Sequence, residues 1–213
     1  MVIPAIKICG ISTPEALDAA IRNRAEYAGF NFFPPSPRFV TIRDLPVLAE
    51  RASGRISSVG VFVDPDDGML SESVTAGRLG AIQLHGKETP ERTAQVKAQF
   101  GLPVWKVLSV SSASDIERAA SYEGAADFLL FDAKTPKGTL PGGMGLSFDW
   151  SLLSAYRGST PWGLAGGLTP DNVAQAIRST GAPLVDTSSG VESAAGIKDV
   201  DRIAAFCQSA RSI

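Results

Sequence analysis

The sequence is poor in the residues that build metal centres, disulfide frameworks and membrane spans. Its 213 residues include two cysteines and one histidine. Cys9 and Cys207 stand far apart, so neither a metal-ligand spacing nor a disulfide framework is present. No apolar run approaches the roughly 20 residues of a membrane span, and Lys7 interrupts the short apolar run at the start, so we expect no secretory signal. These features favour a reduced, cytoplasmic setting.

An excess of charge of either sign is also absent. The formal net charge of −2 gives no reason to expect nucleic acid or a membrane as a partner, so any bound anion must be held by locally placed groups. The hydrophobic fraction of 44% and the charged fraction of 20% are typical of a globular protein. This length can bury one core, and we assign residues 1–213 to a single domain.

What the sequence does contain is an alternation of short apolar runs with longer helix-like stretches. Eight runs rich in β-branched and apolar residues are predicted to be strands. Several are continuously apolar, as in parallel strands that helices cover on both faces of a sheet or around a barrel. The predicted strands span residues 5–9, 28–33, 58–63, 81–84, 104–110, 128–132, 162–166 and 183–188.

Three helix starts carry a threonine, a proline and an acid in succession, at residues 13–15, 89–91 and 169–171. This order is typical of a capping hydroxyl followed by proline at the first helical position. Consecutive strand ends are about 20 to 35 residues apart, which suits βαβ units. Eight consecutive units without a dinucleotide fingerprint favour a closed (β/α)8 TIM barrel of the α/β class over a doubly wound open sheet.

Polar and glycine-rich loops follow the last two predicted strands. Gly166 and Gly167 come after the seventh strand, and Ser188, Ser189 and Gly190 come after the eighth. Such glycines can simply make tight turns. Barrels, however, usually place a phosphate at these two loops, where backbone N–H groups and a short helix beginning near Gly190 would meet the anion. We therefore predict a phosphate site here.

Two chemically active side chains end the first and sixth strands. A buried Cys9 is either an inert apolar group or a thiolate that acts as a base or nucleophile, and the second role needs a lowered thiol pKa. Asp132 ends an apolar run, where a carboxylate is costly to bury without a partner or a role. If both face the mouth of the barrel, they form a pair that can move a proton on and off carbon.

Side-chain alternation along the strands predicts a charge inside the barrel. If Cys9 faces the interior, Lys7 does so too. The first and eighth strands are neighbours in a closed barrel, so we predict that Lys7 forms an ion pair with Asp186. On the fifth strand we expect Trp105 to fill the barrel and Lys106 to be a buried cation.

Three further features border the expected mouth. Arg38 follows a proline-rich loop and is either a solvated charge or a group held to bind a carboxylate through paired hydrogen bonds. His85, which follows Gln83 at the end of the fourth strand, either contacts the substrate or is a hydrogen-bonded loop residue. The glycine-rich segment 137–145 is either a closing lid over Asp132 or an ordinary loop.

A series of short motifs runs in order from the first strand to the helix after the eighth. Together they resemble the phosphoribosylanthranilate isomerase family of tryptophan biosynthesis; each is weak alone, whereas the series is specific. Met144 stands where the family commonly has threonine, and Thr187, which should point away from the barrel axis, where valine is usual. The motifs are Lys7-Ile8-Cys9-Gly10, Ser36-Pro37-Arg38, Val59-Gly60-Val61-Phe62-Val63, Gln83-Leu84-His85-Gly86, Leu129-Leu130-Phe131-Asp132, Gly142-Gly143-Met144-Gly145 with Phe148-Asp149-Trp150, Leu164-Ala165-Gly166-Gly167-Leu168 and Asp186-Thr187-Ser188-Ser189-Gly190-Val191-Glu192.

The resemblance implies an Amadori rearrangement of N-(5′-phosphoribosyl)anthranilate to the corresponding 1-deoxyribulose 5-phosphate, without a metal or redox cofactor. It implies that Asp132 is the general acid at the furanose oxygen, that Cys9 is the base at C2 and that Arg38 faces the anthranilate carboxylate. The expected partner is this small phosphorylated substrate, and the expected assembly is a monomer or a homodimer. The other implied substrate-binding residues are Gln83, His85, Gly166, Gly167, Asp186, Ser188, Ser189 and Gly190.

Two alternatives stay open at this stage. The histidine-pathway isomerase performs the same rearrangement on another aminoaldose phosphate, but that family resembles a half-barrel duplication with an aspartate at each catalytic strand end. Here the first strand ends in Cys9. The second alternative is a catalytically inactive barrel that only binds a sugar phosphate or a partner protein, and the presence of both Cys9 and Asp132 argues against it.

Overall fold

The computed structural model describes residues 3–134 and 145–213. Eight parallel strands close into a barrel in sequential order, which confirms the predicted (β/α)8 fold and rules out an open, doubly wound sheet. A two-stranded antiparallel sheet of β9 and β10 follows the barrel. The strands are β1 Ala5–Cys9, β2 Tyr27–Asn31, β3 Ser57–Phe62, β4 Ala81–Leu84, β5 Val104–Val110, β6 Phe128–Ala133, β7 Trp162–Leu164, β8 Leu184–Thr187, β9 Glu192–Ala194 and β10 Ile197–Lys198.

Helices cover the outside of the barrel. None of the helices in the described part of the chain is long and apolar enough to cross a membrane. Short 3₁₀ helices span Arg118–Tyr122, Trp150–Ala155 and Ser189–Val191. The α-helices are α1 Pro14–Arg22, α2 Leu45–Ala52, α3 Asp67–Gly77, α4 Pro90–Phe100, α5 Ala113–Glu117, α6 Val173–Thr180 and α7 Val200–Arg211.

Two of the three proline-marked helix starts are confirmed. The side chains of Thr13 and Thr89 cap α1 and α4, each accepting a hydrogen bond from the backbone N–H three residues later. The third start is wrong, because α6 begins at Val173, with Asn172 at its N-cap position. The Asn172 side chain accepts a hydrogen bond from the Thr169 N–H at 2.8 Å. This bond holds the preceding residues in a turn, so that the helix starts later.

Several strands end earlier than predicted. The ends of β2 and β3 lie at Asn31 and Phe62 rather than at residues 33 and 63, and β7 and β8 end at Leu164 and Thr187 rather than at 166 and 188. Gly166 has a φ of 87°, outside the range that a strand allows. The backbone therefore leaves the ladder before the glycines, and these residues belong to the loops at the barrel mouth.

The barrel interior is apolar near its base and charged near its mouth. Trp105 fills the base, as predicted, and its ring centroid lies 4.9 Å from that of Tyr27 and 4.7 Å from that of Phe128. Nearer the mouth, Lys7 is 0% exposed and Asp186 is 7% exposed. The interior therefore changes from packed aromatic side chains at the base to ionisable side chains near the mouth.

Lys106 is the predicted buried cation, on the strand face opposite to Trp105. Its Nζ lies 2.7 Å from Glu88 Oε2 and 2.8 Å from the Gly86 carbonyl oxygen. Glu88 also accepts hydrogen bonds from the N–H groups of Gly86 and Asp64. This network fixes the loop after β4, which carries His85 to the mouth.

Candidate active site

A cavity opens where the carboxyl ends of the strands meet. About 680 Å³ of space lies within it, a volume that includes solvent open to the outside. All the site residues predicted from sequence border it except Gln83: Cys9, Arg38, His85, Asp132, Gly166, Gly167, Asp186, Ser188, Ser189 and Gly190. Barrel closure therefore brings together residues from one end of the sequence to the other.

The predicted ion pair between Lys7 and Asp186 is confirmed, with Lys7 Nζ 3.0 Å from Asp186 Oδ1. The two residues are register partners across the seam between β1 and β8. Burial acts to lower the pKa of Lys7, but the neighbouring Asp186 and Cys9 outweigh this effect and raise that pKa. Lys7 therefore stays charged, and removing one partner of such a buried pair typically costs about 3–5 kcal/mol.

Cys9 lies beside this pair. A Cβ placed on Gly29 would be 3.1 Å from Cys9 Sγ and 3.2 Å from Lys7 Nζ, so the sulfur and the ammonium border the same small space. Burial nevertheless raises the pKa of the Cys9 thiol, against the opposing charges of Lys7 and Lys198. The free site therefore does not show the lowered thiol pKa that a base or nucleophile needs, because desolvation disfavours the thiolate more than the lysines stabilise it.

Asp132 faces the cavity from the end of β6. Its Oδ1 accepts a hydrogen bond from the Ala133 N–H at 2.8 Å, and its Oδ2 lies 3.3 Å from His85 Nε2. Gly166 has a positive φ, and a Cβ there would lie 3.0 Å from Asp132 Oδ1 and 2.5 Å from the Ala133 nitrogen. A larger residue would press on the carboxylate, so Gly166 lets the loop after β7 pass directly beside it.

Gln83 lies beneath the cavity rather than on its wall, so its contact with substrate stays a prediction. The side chain is fully buried, and its Nε2 lies 3.3 Å from His85 Nδ1. Gln83, in β4, points into the barrel one layer below the mouth, and His85 follows two residues later in the loop after this strand. Its place in the site is to support the histidine that contacts Asp132.

Arg38 is buried at the edge of the cavity, so it is not a solvated surface charge. Its guanidinium makes a paired contact with Glu192, in which Nε lies 2.7 Å from Oε1 and Nη2 lies 2.8 Å from Oε2. Paired hydrogen bonds of this kind fix the plane of the guanidinium. Glu192 thus holds Arg38 in one orientation where it borders the cavity.

The loops after β7 and β8 pack closely against each other. The Thr187 hydroxyl donates a hydrogen bond to the Leu168 carbonyl oxygen at 2.7 Å, away from the barrel axis as predicted. A Cβ on Gly190 would lie 2.9 Å from the Thr187 hydroxyl and closer still to the Leu168 carbonyl. The short helix expected near Gly190 is a single 3₁₀ turn, Ser189–Val191, after which the chain enters β9 at Glu192.

Sequence reasoning missed three residues that shape the site. Asn31 ends β2 and lines the cavity, and its Nδ2 lies 3.3 Å from Ser36 Oγ, which in turn accepts from the Arg38 N–H. The rule that strand ends carry the chemistry would have found Asn31 had β2 been ended two residues earlier. Glu192 and Lys198 gave no such signal, because they lie beyond the barrel strands. The predicted lid, residues 137–145, falls outside the described residues except for Gly145, which borders the cavity.

A parallel eight-stranded barrel whose mouth combines a thiol, a carboxyl and two glycine-bearing loops after β7 and β8 belongs to the class of barrel enzymes that act on small phosphorylated molecules. Residues 6–209 match the family described as N-(5′phosphoribosyl)anthranilate (PRA) isomerase. The chain belongs to this family.

Individual relatives agree with this assignment. The chain is 56% identical to the N-(5′-phosphoribosyl)anthranilate isomerase of Paramagnetospirillum magneticum over 97% of this chain and 96% of that protein. It is 33% identical to the phosphoribosyl anthranilate isomerase of Thermotoga maritima, whose crystal structure superposes with a TM-score of 0.86 over 99% of this chain and all of that one. A 32% identical isomerase, solved with reduced 1-(o-carboxyphenylamino)-1-deoxyribulose 5-phosphate, superposes with a TM-score of 0.83 over the same shares of the two chains.

The pKa of Cys9 makes a prediction for the free protein. In a Cys207→Ala variant, where Cys9 is the remaining thiol, we expect its alkylation to rise with pH with a midpoint above about 8.5, the ordinary cysteine value. The reason is that a raised pKa delays formation of the thiolate, the reactive form. Mass spectrometry of the Cys9 peptide after timed iodoacetamide treatment measures the midpoint.

The Cys9→Ser variant is the control for this measurement. It leaves Cys207, whose pKa burial raises to about 11, so little alkylation is expected over the same pH range. A Cys9 midpoint at or below that of free cysteine would show that the nearby lysines outweigh desolvation, contrary to this prediction.

Proposed function

We propose that this chain isomerises N-(5′-phosphoribosyl)anthranilate to 1-(2-carboxyphenylamino)-1-deoxy-D-ribulose 5-phosphate in tryptophan biosynthesis, by general acid–base catalysis. Family membership supports the reaction. The observation that carries the mechanism is that Cys9 and Asp132 border one cavity together with the loops after β7 and β8. The eight consecutive units also support a single domain over residues 1–213.

In this proposal the substrate spans the cavity, with its two anionic ends held apart. Its phosphate contacts the backbone at Gly166 and Gly167 and the turn at residues 188–190, the usual phosphate position in barrels. Its anthranilate carboxylate contacts Arg38, which Glu192 holds in a fixed plane. The ribose then lies between these ends, over Cys9 and Asp132.

Asp132 performs the first chemical step as the general acid. It donates a proton to the furanose ring oxygen, the C1–O bond breaks, and the nitrogen lone pair forms a protonated Schiff base with C1. The carboxylate left on Asp132 stays beside His85 Nε2 at 3.3 Å. A hydrogen bond from this ring would stabilise the negative charge that Asp132 acquires.

Cys9 performs the second step as the base at C2. Once the iminium has formed, the Cys9 thiol releases its proton to solvent at the cavity mouth. The C2 proton then moves to the thiolate sulfur, the C–H electrons form the C1–C2 double bond of an enolamine, and the iminium nitrogen accepts the displaced pair. The positive iminium adds to Lys7 and Lys198 as a third cation near the sulfur, and positive charge lowers the pKa of a thiol. Substrate thus supplies the stabilisation of the thiolate that the free site lacks, and the enolamine then tautomerises to the ketone.

The reaction depends on a reduced Cys9, and this requirement supports a cytoplasmic location. The partner in this proposal is the phosphorylated sugar–anthranilate substrate, and a monomer or a homodimer remains the predicted assembly. Light scattering on the purified protein distinguishes the two assemblies.

The direct test follows the fluorescence of freshly generated phosphoribosylanthranilate with and without the purified protein. We expect the protein to accelerate the fluorescence decay, because the substrate is consumed, and to leave the aminoaldose phosphate of the histidine pathway unchanged. Preference for the histidine-pathway substrate would instead support that isomerase. Phosphate binding without turnover of either substrate would support an inactive barrel.

Substitution of the two proposed acid–base groups should separate chemistry from binding. Cys9→Ser and Asp132→Asn should each lower kcat by about 10²–10⁴-fold, the usual contribution of general acid–base groups, while the Kd for inorganic phosphate changes little. Steady-state kinetics and calorimetry provide the two readouts. Cys207→Ala, which removes the buried thiol of α7, is the control and should retain wild-type kcat. A near-normal kcat in either site variant rejects the role assigned to that residue.

Arg38→Ala should weaken binding of the anthranilate end. Hydrogen bonds to charged groups contribute about 1.5–3 kcal/mol, so KM should rise by about tenfold or more while the Kd for phosphate changes less. Arg51→Ala is the matched control, because Arg51 pairs with Asp18 on the surface, 42% exposed. An unchanged KM in Arg38→Ala would show that Arg38 does not contact the carboxylate.

A further inference from the structure

We propose that Lys198, in β10 outside the barrel, is a positioning residue that holds the phosphate turn and supplies the positive charge behind it. This inference rests on the proposed function in one respect: it takes the turn at residues 188–190 to be where the substrate phosphate binds. It does not depend on the roles of Cys9 and Asp132.

The Lys198 ammonium is 1% exposed and has three acceptors. Its Nζ lies 2.5 Å from Glu192 Oε1, 3.1 Å from the Ser188 carbonyl oxygen and 3.3 Å from Ser188 Oγ. A lysine ammonium has three N–H donors, so this set satisfies it fully. The side chain is therefore fixed at the back of the turn, out of the cavity itself.

Ser188 is the residue where the chain leaves β8 and begins the turn. Its carbonyl oxygen accepts both from Lys198 and from the Val191 N–H, the latter at 3.3 Å, which closes the 3₁₀ helix Ser189–Val191. Ser189 and Gly190 line the cavity. By fixing Ser188, Lys198 fixes the direction in which the backbone of these two residues meets a bound anion.

Glu192 joins this lysine to the other end of the site. Its carboxylate accepts two hydrogen bonds from Arg38 and one from Lys198, as well as one from the Gly196 N–H at 3.2 Å. The side chains of Lys198, Glu192 and Arg38 are 1%, 4% and 10% exposed. One buried carboxylate thus orients the residue for the phosphate and the residue for the anthranilate carboxylate.

The charges of this cluster point to an anionic ligand. Arg38 and Lys198 both donate hydrogen bonds to the one carboxylate of Glu192, so two cationic side chains lie beside the turn at residues 188–190. A phosphate on the far side of Ser188 is attracted by the Lys198 ammonium through this turn.

The pKa of Lys198 agrees with this picture. Burial and the nearby Arg38 lower it, and the opposing effects of Glu192 and Cys9 are not sufficient to restore it. A phosphate dianion would favour the protonated lysine, so phosphate affinity should fall as the pH rises through the lowered lysine pKa. Arginine stays protonated throughout this range, which offers a variant that keeps the charge and removes the titration.

The first test measures the Kd of inorganic phosphate by calorimetry, together with KM and kcat, in Lys198→Met and Lys198→Arg. Lys198→Met should raise both the Kd and KM by about tenfold or more and change kcat less. Lys198→Arg should recover most of the affinity. Lys97→Met is the matched control, since it removes a lysine charge paired with Asp127 on the surface, and it should bind phosphate as the wild type does.

The second test follows phosphate binding from about pH 8 to about pH 10.4, the ordinary lysine value. Cys9→Ser serves as the background, so that the neighbouring thiol does not titrate. The Kd should rise with pH in this background and stay nearly constant when Lys198→Arg is added. Parallel pH profiles with and without Lys198→Arg would overturn the proposal. This test needs no Lys198→Met protein and decides the matter if that variant fails to fold.

The outcomes separate this inference from the proposed function. Wild-type phosphate affinity in a folded Lys198→Met protein overturns the inference and leaves the isomerase proposal standing. If the Lys198 variants change phosphate binding as predicted, but the wild-type protein does not convert phosphoribosylanthranilate, only the isomerase proposal is overturned. A folded Lys198→Met protein of lower melting temperature and unchanged Kd assigns the lysine a structural role only, which also rejects the inference.

Discussion

The contact between Lys7 and Asp186 is the constraint on which the site depends. It joins register partners of β1 and β8, the first and last strands of the barrel, at the seam where the sheet closes on itself. Removing either member of a buried ion pair leaves an uncompensated charge, which is destabilising. The pair therefore depends on barrel closure, which brings β1 and β8 together, and it stabilises the closed barrel in turn. The same contact places an ammonium beside Cys9, which stands two residues further along β1.

Opposite charges are concentrated at the mouth of the barrel. Lys7, Lys198 and Arg38 lie at or near the cavity, and so do Asp132, Asp186 and Glu192. Burial raises the pKa of the Cys9 thiol in the free site, and Glu192 accepts hydrogen bonds from both Arg38 and Lys198. In the proposed reaction, the phosphate of the substrate lies across Ser188 from Lys198, and its transient iminium favours the Cys9 thiolate.

The features that could be predicted from the sequence are those that depend on periodicity and on strand ends. Apolar runs marked the eight strands, because strands covered by helices need apolar side chains on both faces. Alternation along β1 then predicted the partner of Lys7. The predicted start of one helix failed because the Asn172 side chain bonds the backbone of a turn where the helix was expected. The depth of Gln83 in the barrel was not foreseen either: it lies one layer below the mouth, because residues on one strand face follow each other at intervals of two. Thiol desolvation was equally inaccessible, since it depends on how tightly distant segments cover Cys9.

The sequence by itself therefore determined the barrel, the order of its strands and the placement of Cys9 and Asp132 at strand ends that border one cavity. These properties follow from local patterns, because each strand and each cap depends on residues close in the chain. Only the tertiary structure decided that Glu192 orients Arg38 and that Lys198 lies behind Ser188. Such contacts depend on how the β9–β10 sheet folds back against two barrel loops. Short-range periodicity in a sequence does not predict how such segments pack against each other.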